Sequence, residues 1–505
     1  MVIPNNVISI GNSAFSECYN LNSITLNSGL QTIGEGAFDE CAITSIEIPS
    51  TVTSIGVNPV SHNNKLTSIT VAAGNTVYYS GDSNAIIETA TNNLIAGCKN
   101  TVIPATTKTI GTGAFQGAGI AGAVSIPEGV TTVGFYAFRS NDISTLEIPA
   151  SLEVIYQGAL ENSFNLVSVA AGNKRYESMD NCIIEKDIKR LIAAGKNVSS
   201  IPSGVKNIGA GAFAYSSITS IEIPASVTQI SAEAFCQCYD LSSVVLNEGL
   251  VNIETRAFVY CQALHEITIP TSVTSIGENA FNYTGYLTSS NKEFTLYIPY
   301  TLNINASSNV FGSPKYATVI PYVKPAKEYT SFACPQDVDF SGATGLKAYV
   351  ASGFDASAKK VSLKEVTSAK AGEGIIIQAT AGTKYDLALA TASDNGTNLL
   401  VGVTADTAIE PTDGSNTNFL LSDGQFKKAQ AGTLANGKAY LQLPTSAAAR
   451  AKSLGITTDG DVTGIININL DEEGDGMIYD LNGRRISETA TKGIYVKNGK
   501  KVIIK

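Results

Sequence analysis

The sequence contains no tryptophan, and charged residues account for only 15% of its 505 positions. The formal net charge is -10, and Lys and Arg never form a run longer than a pair. Nucleic acids and anionic membranes attract clustered positive charge, so neither is an expected partner. No stretch reaches about 18 consecutive apolar residues, and we therefore expect no helix that spans a membrane.

Sequence motifs of catalysis and of metal binding are also missing. The chain has no HExxH, no GxxxxGK[ST] loop and no CxxC pair. Its two histidines, His62 and His265, occur where neighbouring repeats carry polar residues, so we interpret both as surface positions. The acidic DEEGDG at 471–476 lacks the spacing of a calcium loop and is interpreted as a solvated linker. These absences predict a protein that is not an enzyme and holds no cofactor or metal.

What the sequence does contain is a repeat. Strings such as IGEGAFDECAITSIEIPSTVTSIG at 33–56 recur over the first three fifths of the chain, mostly at steps of 22 or 23 residues. The Ile or Val that opens each string lies at Ile10, Ile33, Ile55, Ile110, Val133, Ile155, Ile208, Ile230, Ile253 and Ile276. A period of this length with one strand per unit is typical of a solenoid, whose stacked units share a core.

Each unit has two recognisable parts. The string SIEIP, as at 45–49, alternates apolar and polar residues and predicts a short strand with one buried face. In the following VTSIGxxAF string, the apolar residues are three to five positions apart, which indicates a turn of α-helix or 3₁₀-helix. The chain itself opens inside such a unit, because Ile3 and Pro4 align with Ile48 and Pro49. We therefore expect a fragment of a longer protein, with a cap and any export signal upstream.

Two steps of the repeat are longer, 55 residues from Ile55 to Ile110 and 53 from Ile155 to Ile208. Both contain the same insert, NAIIETATNNLIAG at 84–97 and NCIIEKDIKRLIAAG at 181–195. Each reads as strand, polar turn and strand, which predicts β-hairpins over about 76–104 and 174–202 that project from the solenoid. The hairpins could recognise a ligand, or they could be flaps with a purely structural role, and the sequence leaves both roles open.

The eight cysteines follow the repeat in part. Four of them occupy the same point of an AFxxC string, namely Cys18, Cys41, Cys238 and Cys261. A cysteine at a fixed repeat position is best interpreted as a small buried apolar residue. The neighbours Cys18 and Cys41, or Cys238 and Cys261, could also lie close enough for a disulfide, and sequence leaves this open.

The pattern IGxxAFxxC..LxSIxIPxxVxxIG resembles the BspA-type leucine-rich repeats of surface proteins from Bacteroidetes and some protozoa. The resemblance covers about residues 1–325 and includes the longer units with AAGN and LIAG strings. It implies a leucine-rich-repeat solenoid with a parallel sheet, here assigned to residues 1–326, exposed on a cell surface. Some members of the family are adhesins, which implies a class of function and no particular ligand.

The remainder of the chain has a different pattern. Short apolar or alternating runs separated by Gly, Asn and Asp turns predict an antiparallel β-sandwich over 327–454. A linker and a small β module are predicted over 455–505, where YDLNGR and KGIY resemble the C-terminal sorting modules of Bacteroidetes. That resemblance implies transport across the outer membrane. The alternative is a hairpin that closes the preceding sandwich.

The central residue of each predicted strand should face solvent, and these residues are the candidate binding site. They form an outward ladder of Thr25, Glu47, Thr70, Ser125, Glu147, Ser168, Glu222, Val245, Thr268 and Tyr297. Its glutamates recur at one strand position but three or more units apart, which is too far for the paired carboxylates of a glycosidase. A solvated strand face would carry similar residues, so the ladder is a hypothesis.

Two functions are consistent with these features. The first is a non-catalytic, adhesin-like interaction protein at the extracellular or outer-membrane surface, monomeric, with an extracellular protein or glycoprotein as ligand. The alternative is a carbohydrate-binding or accessory protein of a glycan-utilisation system, with 327–454 as the binding module. Sugar sites usually present exposed aromatic platforms, and the absence of Trp weighs against the alternative.

Overall fold

A computed structural model describes residues 1–288, 291–292, 294–304, 308–312, 317–448 and 451–458, and four strands within 478–504. The chain divides into two compact units, Met1–Pro321 and Tyr322–Lys505. Among the described residues, helix is limited to a 3₁₀ turn at Asn309–Phe311 and an α-helical turn at Thr445–Ala448. The protein is therefore mainly β, as the sequence predicts.

The first unit is a solenoid whose coils stack with the repeat in register. We number the ten coils by their opening residues, from coil 1 at Ile10 to coil 10 at Ile276. Each opening residue lies in a two-residue strand, and within the three runs of coils that the inserts separate, successive strands pair in parallel, for example Ile10 with Ile33 and Ile33 with Ile55. These short strands are Ser9–Ile10, Thr32–Ile33, Ser54–Ile55, Thr109–Ile110, Thr132–Val133, Val154–Ile155, Asn207–Ile208, Gln229–Ile230, Asn252–Ile253 and Ser275–Ile276. The predicted period is confirmed.

The SIEIP strings form a second set of parallel strands. In Ser45–Ile48 the two isoleucines are buried while Ser45 and Glu47 are exposed, as the alternation predicts. These longer strands are Ser45–Ile48, Ser68–Val71, Val124–Ser125, Ile143–Ile148, Phe164–Val169, Ser220–Ile223, Ser243–Leu246, Glu266–Thr268 and Phe294–Pro299. A further antiparallel pair, Tyr286–Thr288 with Asn291–Lys292, lies between the last two. Each coil from the second to the tenth thus contributes two strands where the sequence analysis expected one.

The predicted helical turn in each unit is wrong. After its short strand the chain forms a series of hydrogen-bonded turns, which we call the turn ridge. In coil 2 the Ala37 N–H donates to the Gly34 carbonyl of the same coil at 3.3 Å. The next N–H, of Phe38, donates instead to the Pro59 carbonyl of coil 3 at 2.8 Å. Gly36 and Glu40 have φ values of 56° and 52°. Two left-handed residues four positions apart interrupt a right-handed helix. Backbone groups of the ridge therefore form hydrogen bonds with the neighbouring coil instead.

A column of phenylalanine rings runs through the solenoid beneath the turn ridge. The rings of Phe213, Phe235, Phe258 and Phe281 stack at centroid distances of 5.1, 5.1 and 5.6 Å. All four side chains are buried. Because Phe235 and Phe258 each contact the rings of both neighbouring coils, the column links the packing of coils 7 to 10.

The two inserts are hairpins, but they do not project from the solenoid. Their strands are Tyr78–Tyr79, Ala85–Glu88 and Asn93–Gly97 in the first, and Tyr176–Met179, Cys182–Glu185 and Arg190–Ala194 in the second. The last strand of each pairs in parallel with the next short strand, Leu94 with Ile110 and Leu191 with Ile208. Ile86, Ile87 and Leu94 are completely buried. Apolar residues on both hairpin strands favour burial within the stack, and each insert serves as an additional coil.

The second unit is built around one continuous ten-stranded sheet. Ser453–Thr458 pairs in parallel with Lys360–Val366 and antiparallel with Gln425–Lys428, and so joins the two halves of the sheet. Both halves contribute to one core. The ten strands are Tyr329–Phe332, Lys347–Asp355, Lys360–Val366, Ile375–Gln378, Leu400–Val403, Thr412–Asp413, Asn416–Ser422, Gln425–Lys428, Lys438–Pro444 and Ser453–Thr458. The sheet therefore differs from a purely antiparallel sandwich of two separate sheets.

Shorter strands complete the second unit. They are Ala317–Val323, which enters from the first unit, and Val338–Asp339, Ser368–Ala369, Tyr385–Asp386, Ala388–Leu389, Thr407–Ile409 and Gly432–Leu434. Near the C-terminus, Ile478–Tyr479, Arg485–Ile486, Gly493–Lys497 and Lys500–Ile504 form an antiparallel sheet. The DEEGDG stretch and most of the YDLNGR string lie outside the described residues.

The stacked column predicts that an interior phenylalanine matters more than a terminal one. Phe235→Ala removes a ring with stacking partners in two coils, and we expect it to cost about 3–5 kcal/mol of unfolding free energy. Phe15 is half-buried in coil 1 and stacks only on Phe38, at 5.5 Å. Urea unfolding of Phe15→Ala should show a clearly smaller loss. Equal losses for the two variants would contradict the role of the column.

Candidate interaction surfaces

The outward ladder lies on the solvent face of the longer strands. The structure pairs its members in four groups: Glu47 with Thr70, Ser125 with Glu147 and Ser168, Glu222 with Val245, and Thr268 with Tyr297. Thr25 lies apart and forms a bridge with Val2. Nine of the ten side chains are exposed, and Tyr297 is half-buried. The sequence pattern thus identified the exposed face, whereas the breaks between groups were not foreseen.

The ladder offers hydroxyl and carboxylate groups for recognition rather than a concentrated reactive centre. Glu147 is next to Ser125 and Ser168, and Glu222 belongs to another group, where it accepts a hydrogen bond from Asn247 at 2.8 Å. Val245 is 49% exposed and adds an apolar side chain to this otherwise polar set. The arrangement suits an extended contact with another surface.

A second surface was missed by the sequence analysis. Tyr215, Tyr260 and Tyr283 each lie seven residues after the start of their coil on the turn ridge, and Tyr239 lies nine after. The rings of Tyr260 and Tyr283 stack in parallel, with their centroids 4.7 Å apart. Beneath this tyrosine ridge, the side chains of Ala214, Cys236 and Val259 form a small buried cluster. The recurrence of Tyr at one offset in three of the last four coils was the available signal.

The repeated cysteines have a role beyond apolar packing. The Cys238 thiol donates to the Phe213 carbonyl at 3.0 Å, and the Cys261 thiol donates to the Phe235 carbonyl at 3.2 Å. In coil 10 the equivalent residue, Thr284, donates to the Phe258 carbonyl at 2.8 Å. The position therefore requires a small donor that satisfies a buried carbonyl of the preceding coil.

All eight cysteines are free thiols in this structure. Burial raises the pKa of Cys238 to about 12, which keeps this thiol protonated and able to donate. Cys41 and Cys261 are buried as the sequence predicts, whereas Cys18, in the first coil, is exposed.

A buried ion pair lies where the second insert interrupts the turn ridge. Glu161 in coil 6 is 6% exposed, and its carboxylate is 3.2 Å from Nε of Arg139 in coil 5. The Arg139 guanidinium lies over the rings of Tyr136 and Tyr215, at 5.0 and 4.6 Å from their centroids. A Cβ at Gly211 would be only 2.5 Å from the Glu161 carboxylate, so the close approach of coil 7 requires glycine there.

Burial raises the pKa of Glu161 to about 7. The Arg139 charge opposes this rise, and the nearby Glu233 carboxylate adds to it. Glu233 is itself paired with Arg256, with 3.2 Å between carboxylate and guanidinium. The cost of removing the Glu161 carboxylate from water therefore outweighs its attraction to Arg139.

The two histidines differ from each other. His265 is exposed at the start of a longer strand, as the sequence predicts. His62 is half-buried on the turn ridge, with its Nδ1 atom 2.8 Å from Asp39 Oδ1 and its Nε2 atom 3.4 Å from the Gln116 amide nitrogen. The sequence-based interpretation of His62 as a surface position did not foresee this contact, because only the stacking of the coils brings the imidazole within hydrogen-bond distance of Asp39.

No helix within the described part of the chain is both long enough and apolar enough to cross a membrane.

The donor position can be tested with an isosteric pair of variants. Cys261→Thr keeps a group that donates to the Phe235 carbonyl, whereas Cys261→Val has the same shape without a donor. We expect the Thr variant to be more stable by about 1–2 kcal/mol in urea unfolding, because Val leaves a buried carbonyl unsatisfied. A more stable Val variant would show that this position needs apolar volume alone.

The raised pKa of Glu161 gives a pH dependence of definite sign. Protonated Glu161 contributes fully to stability below pH 4.5, the pKa of this side chain in the unfolded chain. The contribution is lost as the pH rises through about 7, the pKa in the folded protein. Glu161→Gln should therefore unfold like the native chain near pH 4.5 and be more stable at pH 8, by up to about 3 kcal/mol.

Thermal unfolding at the two pH values measures this difference. Glu47→Gln, on the exposed ladder, controls for the loss of one negative charge. A Glu161→Gln variant less stable than the native chain at pH 8 would show that the pair with Arg139 outweighs the cost of burial.

Comparison with known proteins covers the solenoid. The profile described as BspA type Leucine rich repeat region matches six copies, over residues 1–89, 84–205 and 193–303. No curated protein matches the chain.

Among solved structures, a leucine-rich repeat protein from Eubacterium ventriosum is 21% identical, with 57% of this chain and 77% of that chain covered and a TM-score of 0.33. The pneumococcal vaccine antigen PcpA is 21% identical, with coverage of 63% and 65% and a TM-score of 0.35. A leucine rich cell surface protein from Faecalibacterium prausnitzii is 22% identical, with coverage of 63% and 86% and a TM-score of 0.38. The profile match spans more than half of the sequence and the repeat period agrees with the stacked coils, so this chain belongs to the BspA-type leucine-rich-repeat family.

Proposed function

We propose that the protein is a non-catalytic, adhesin-like interaction protein whose solenoid binds an extracellular protein or glycoprotein. The observation that carries this proposal is the outward ladder, which presents nine exposed side chains on the solvent face of the longer strands. Membership of the repeat family supports a role in protein interaction. A solenoid offers an extended surface at little cost in binding entropy, because the stacked coils already hold the contacting residues in place.

The composition of the surfaces favours a protein surface over a sugar chain. The ladder carries hydroxyls, three glutamates and the exposed Val245. On the tyrosine ridge, Tyr260 and Tyr283 stack on each other, so one face of each ring is covered, and ring edges and hydroxyls are among the groups left for a partner. Edges and hydroxyls of tyrosine suit protein contacts, whereas sugar rings stack on open aromatic faces.

The alternative glycan-binding function in the second unit has less support. An open cleft there is lined by Glu328, Lys347, Glu365 and Gln378, which could bind sugar hydroxyls. The aromatic residue at this cleft, Tyr349, is 3% exposed, and its hydroxyl donates to Gln378 at 3.1 Å. The cleft thus offers no open tyrosine face at that position.

The proposed location is the extracellular or outer-membrane surface. The four antiparallel strands within 478–504 support the proposal of a separate C-terminal module for sorting. The protein is proposed to act as a monomer.

A matched pair of variants tests the ladder as the binding surface. The intact chain is screened against immobilised matrix proteins and against a glycan array. Val245→Glu places a charge on the ladder, and Val251→Glu makes the same change in the following turn, where the valine is 37% exposed. We expect Val245→Glu to weaken the protein contact about tenfold or more, because a buried apolar contact becomes an unpaired charge. Val251→Glu should retain native affinity.

Two results would contradict the proposal. Protein binding that survives Val245→Glu but is lost in Tyr239→Glu would move the contact to the tyrosine ridge. Glycan binding that is unchanged by both substitutions would favour the carbohydrate-binding alternative.

A further inference from the structure

The part of the chain that precedes Lys65 combines several carboxylates with no Lys or Arg side chain. Residues 1–64 contain five acidic side chains, Glu17, Glu35, Asp39, Glu40 and Glu47, and no Lys or Arg. The one histidine among them is His62. The insert junction at coils 6 and 7 differs, because there Arg139 supplies a cation for the buried Glu161 carboxylate. The corresponding part of the ridge in coils 2 and 3 has only an imidazole to balance its acids.

Stacking of coils 2 and 3 brings three of these groups together. Glu40 and His62 both lie seven residues after their coil starts, with φ values of 52° and 54°, and Asp39 precedes Glu40. One ligand atom from each of the three residues lies within 4.8 Å of the other two. All three side chains are half-buried, which leaves one side of the cluster open to water.

The neighbours of the cluster hold these groups in place. Tyr19 places its hydroxyl 3.3 Å from Glu40 Oε2 and 3.1 Å from Glu17 Oε2. The His62 ring lies against Gly117 of coil 4, where a Cβ would be 2.4 Å from Cδ2 of the ring. Position 117 therefore leaves room for the ring only because it is glycine.

From this arrangement we infer that Asp39, Glu40 and His62 bind a divalent transition-metal ion of the zinc type. An imidazole nitrogen with two carboxylates is a ligand set that zinc accepts, and water completes the coordination on the open side. The ion binds His62 Nδ1 in place of the hydrogen bond to Asp39, and the neutral imidazole then carries its one ring proton on Nε2. The Gln116 side-chain amide lies beside Nε2, with 3.4 Å between the two nitrogens, and would accept a hydrogen bond from Nε2–H through its oxygen, Oε1.

A metal ion at this position would act as a clamp. It would join coil 2, through Asp39 and Glu40, to coil 3, through His62. The backbone N–H of His62 already donates to the backbone carbonyl of Gln116 in coil 4, at 2.9 Å. The clamp lies where the first insert interrupts the turn ridge, as the Arg139 and Glu161 pair does at the second insert. The site is separate from the outward ladder and does not depend on the proposed function.

The test uses the intact, chelator-treated chain and ZnCl₂ as the probe. Isothermal titration calorimetry should detect one zinc ion per chain, and zinc should raise the midpoint of thermal unfolding. His62→Gln and Asp39→Asn should each weaken zinc binding roughly tenfold or more. His265→Gln removes the other histidine of the chain, from an exposed strand, and should bind zinc like the native protein.

The exposed Cys18 thiol in coil 1 is the competing ligand. Cys18→Ser should leave zinc binding unchanged, and Co²⁺ bound in place of zinc should show visible absorption without a sulfur-to-cobalt charge-transfer band. If His62→Gln does not fold, Asp39→Asn and the Co²⁺ spectrum decide the question. The inference is overturned if the native chain fails to bind zinc at millimolar concentration, if both ligand variants bind like the native chain, or if Cys18→Ser loses the ion.

Discussion

The solenoid depends on the contact between the phenylalanine of one coil and the turn of the next. The amides of Phe213, Phe235 and Phe258 each donate to an alanine carbonyl of the following coil at 2.8 Å, and the rings stack directly beneath. This pairing of a backbone hydrogen bond with ring stacking sets the position of each coil on its neighbour. The parallel strands, the outward ladder and the ridge clusters all require that alignment, because each is built from one residue per coil.

The sequence predicted the features that follow directly from periodicity. Ile10, Ile33 and Ile55 pair in register because the repeat places them at one position, and the alternation around Glu47 identified the exposed strand face. The turn ridge was mispredicted because apolar spacing alone does not distinguish a helix from turns. The two differ in their left-handed residues, such as Glu40. Because a residue other than glycine rarely adopts a positive φ, the sequence does not indicate this conformation.

Contacts between distant residues were beyond the sequence analysis. Arg139 and Tyr215 are 76 positions apart, and their hydrogen bond joins coil 5 to coil 7 where the second insert interrupts the turn ridge. The same holds for His62 and Gln116 at the first insert. The inserts were expected to project, yet their apolar strands enter the short-strand stack and so create these junctions. Polar residues that look like ordinary surface substitutions therefore gain partners only in three dimensions.

Native-state hydrogen exchange at the phenylalanine amides tests the central claim most directly. If coil-to-coil pairing holds the solenoid together, the amides of Phe235 and Phe258 will exchange slowly and through one shared opening, with a free energy close to that of global unfolding. The Phe15 amide, in the first coil, will exchange faster because of fraying at the end of the stack. Exchange of Phe235 and Phe258 as rapid as that of an exposed turn would contradict the account.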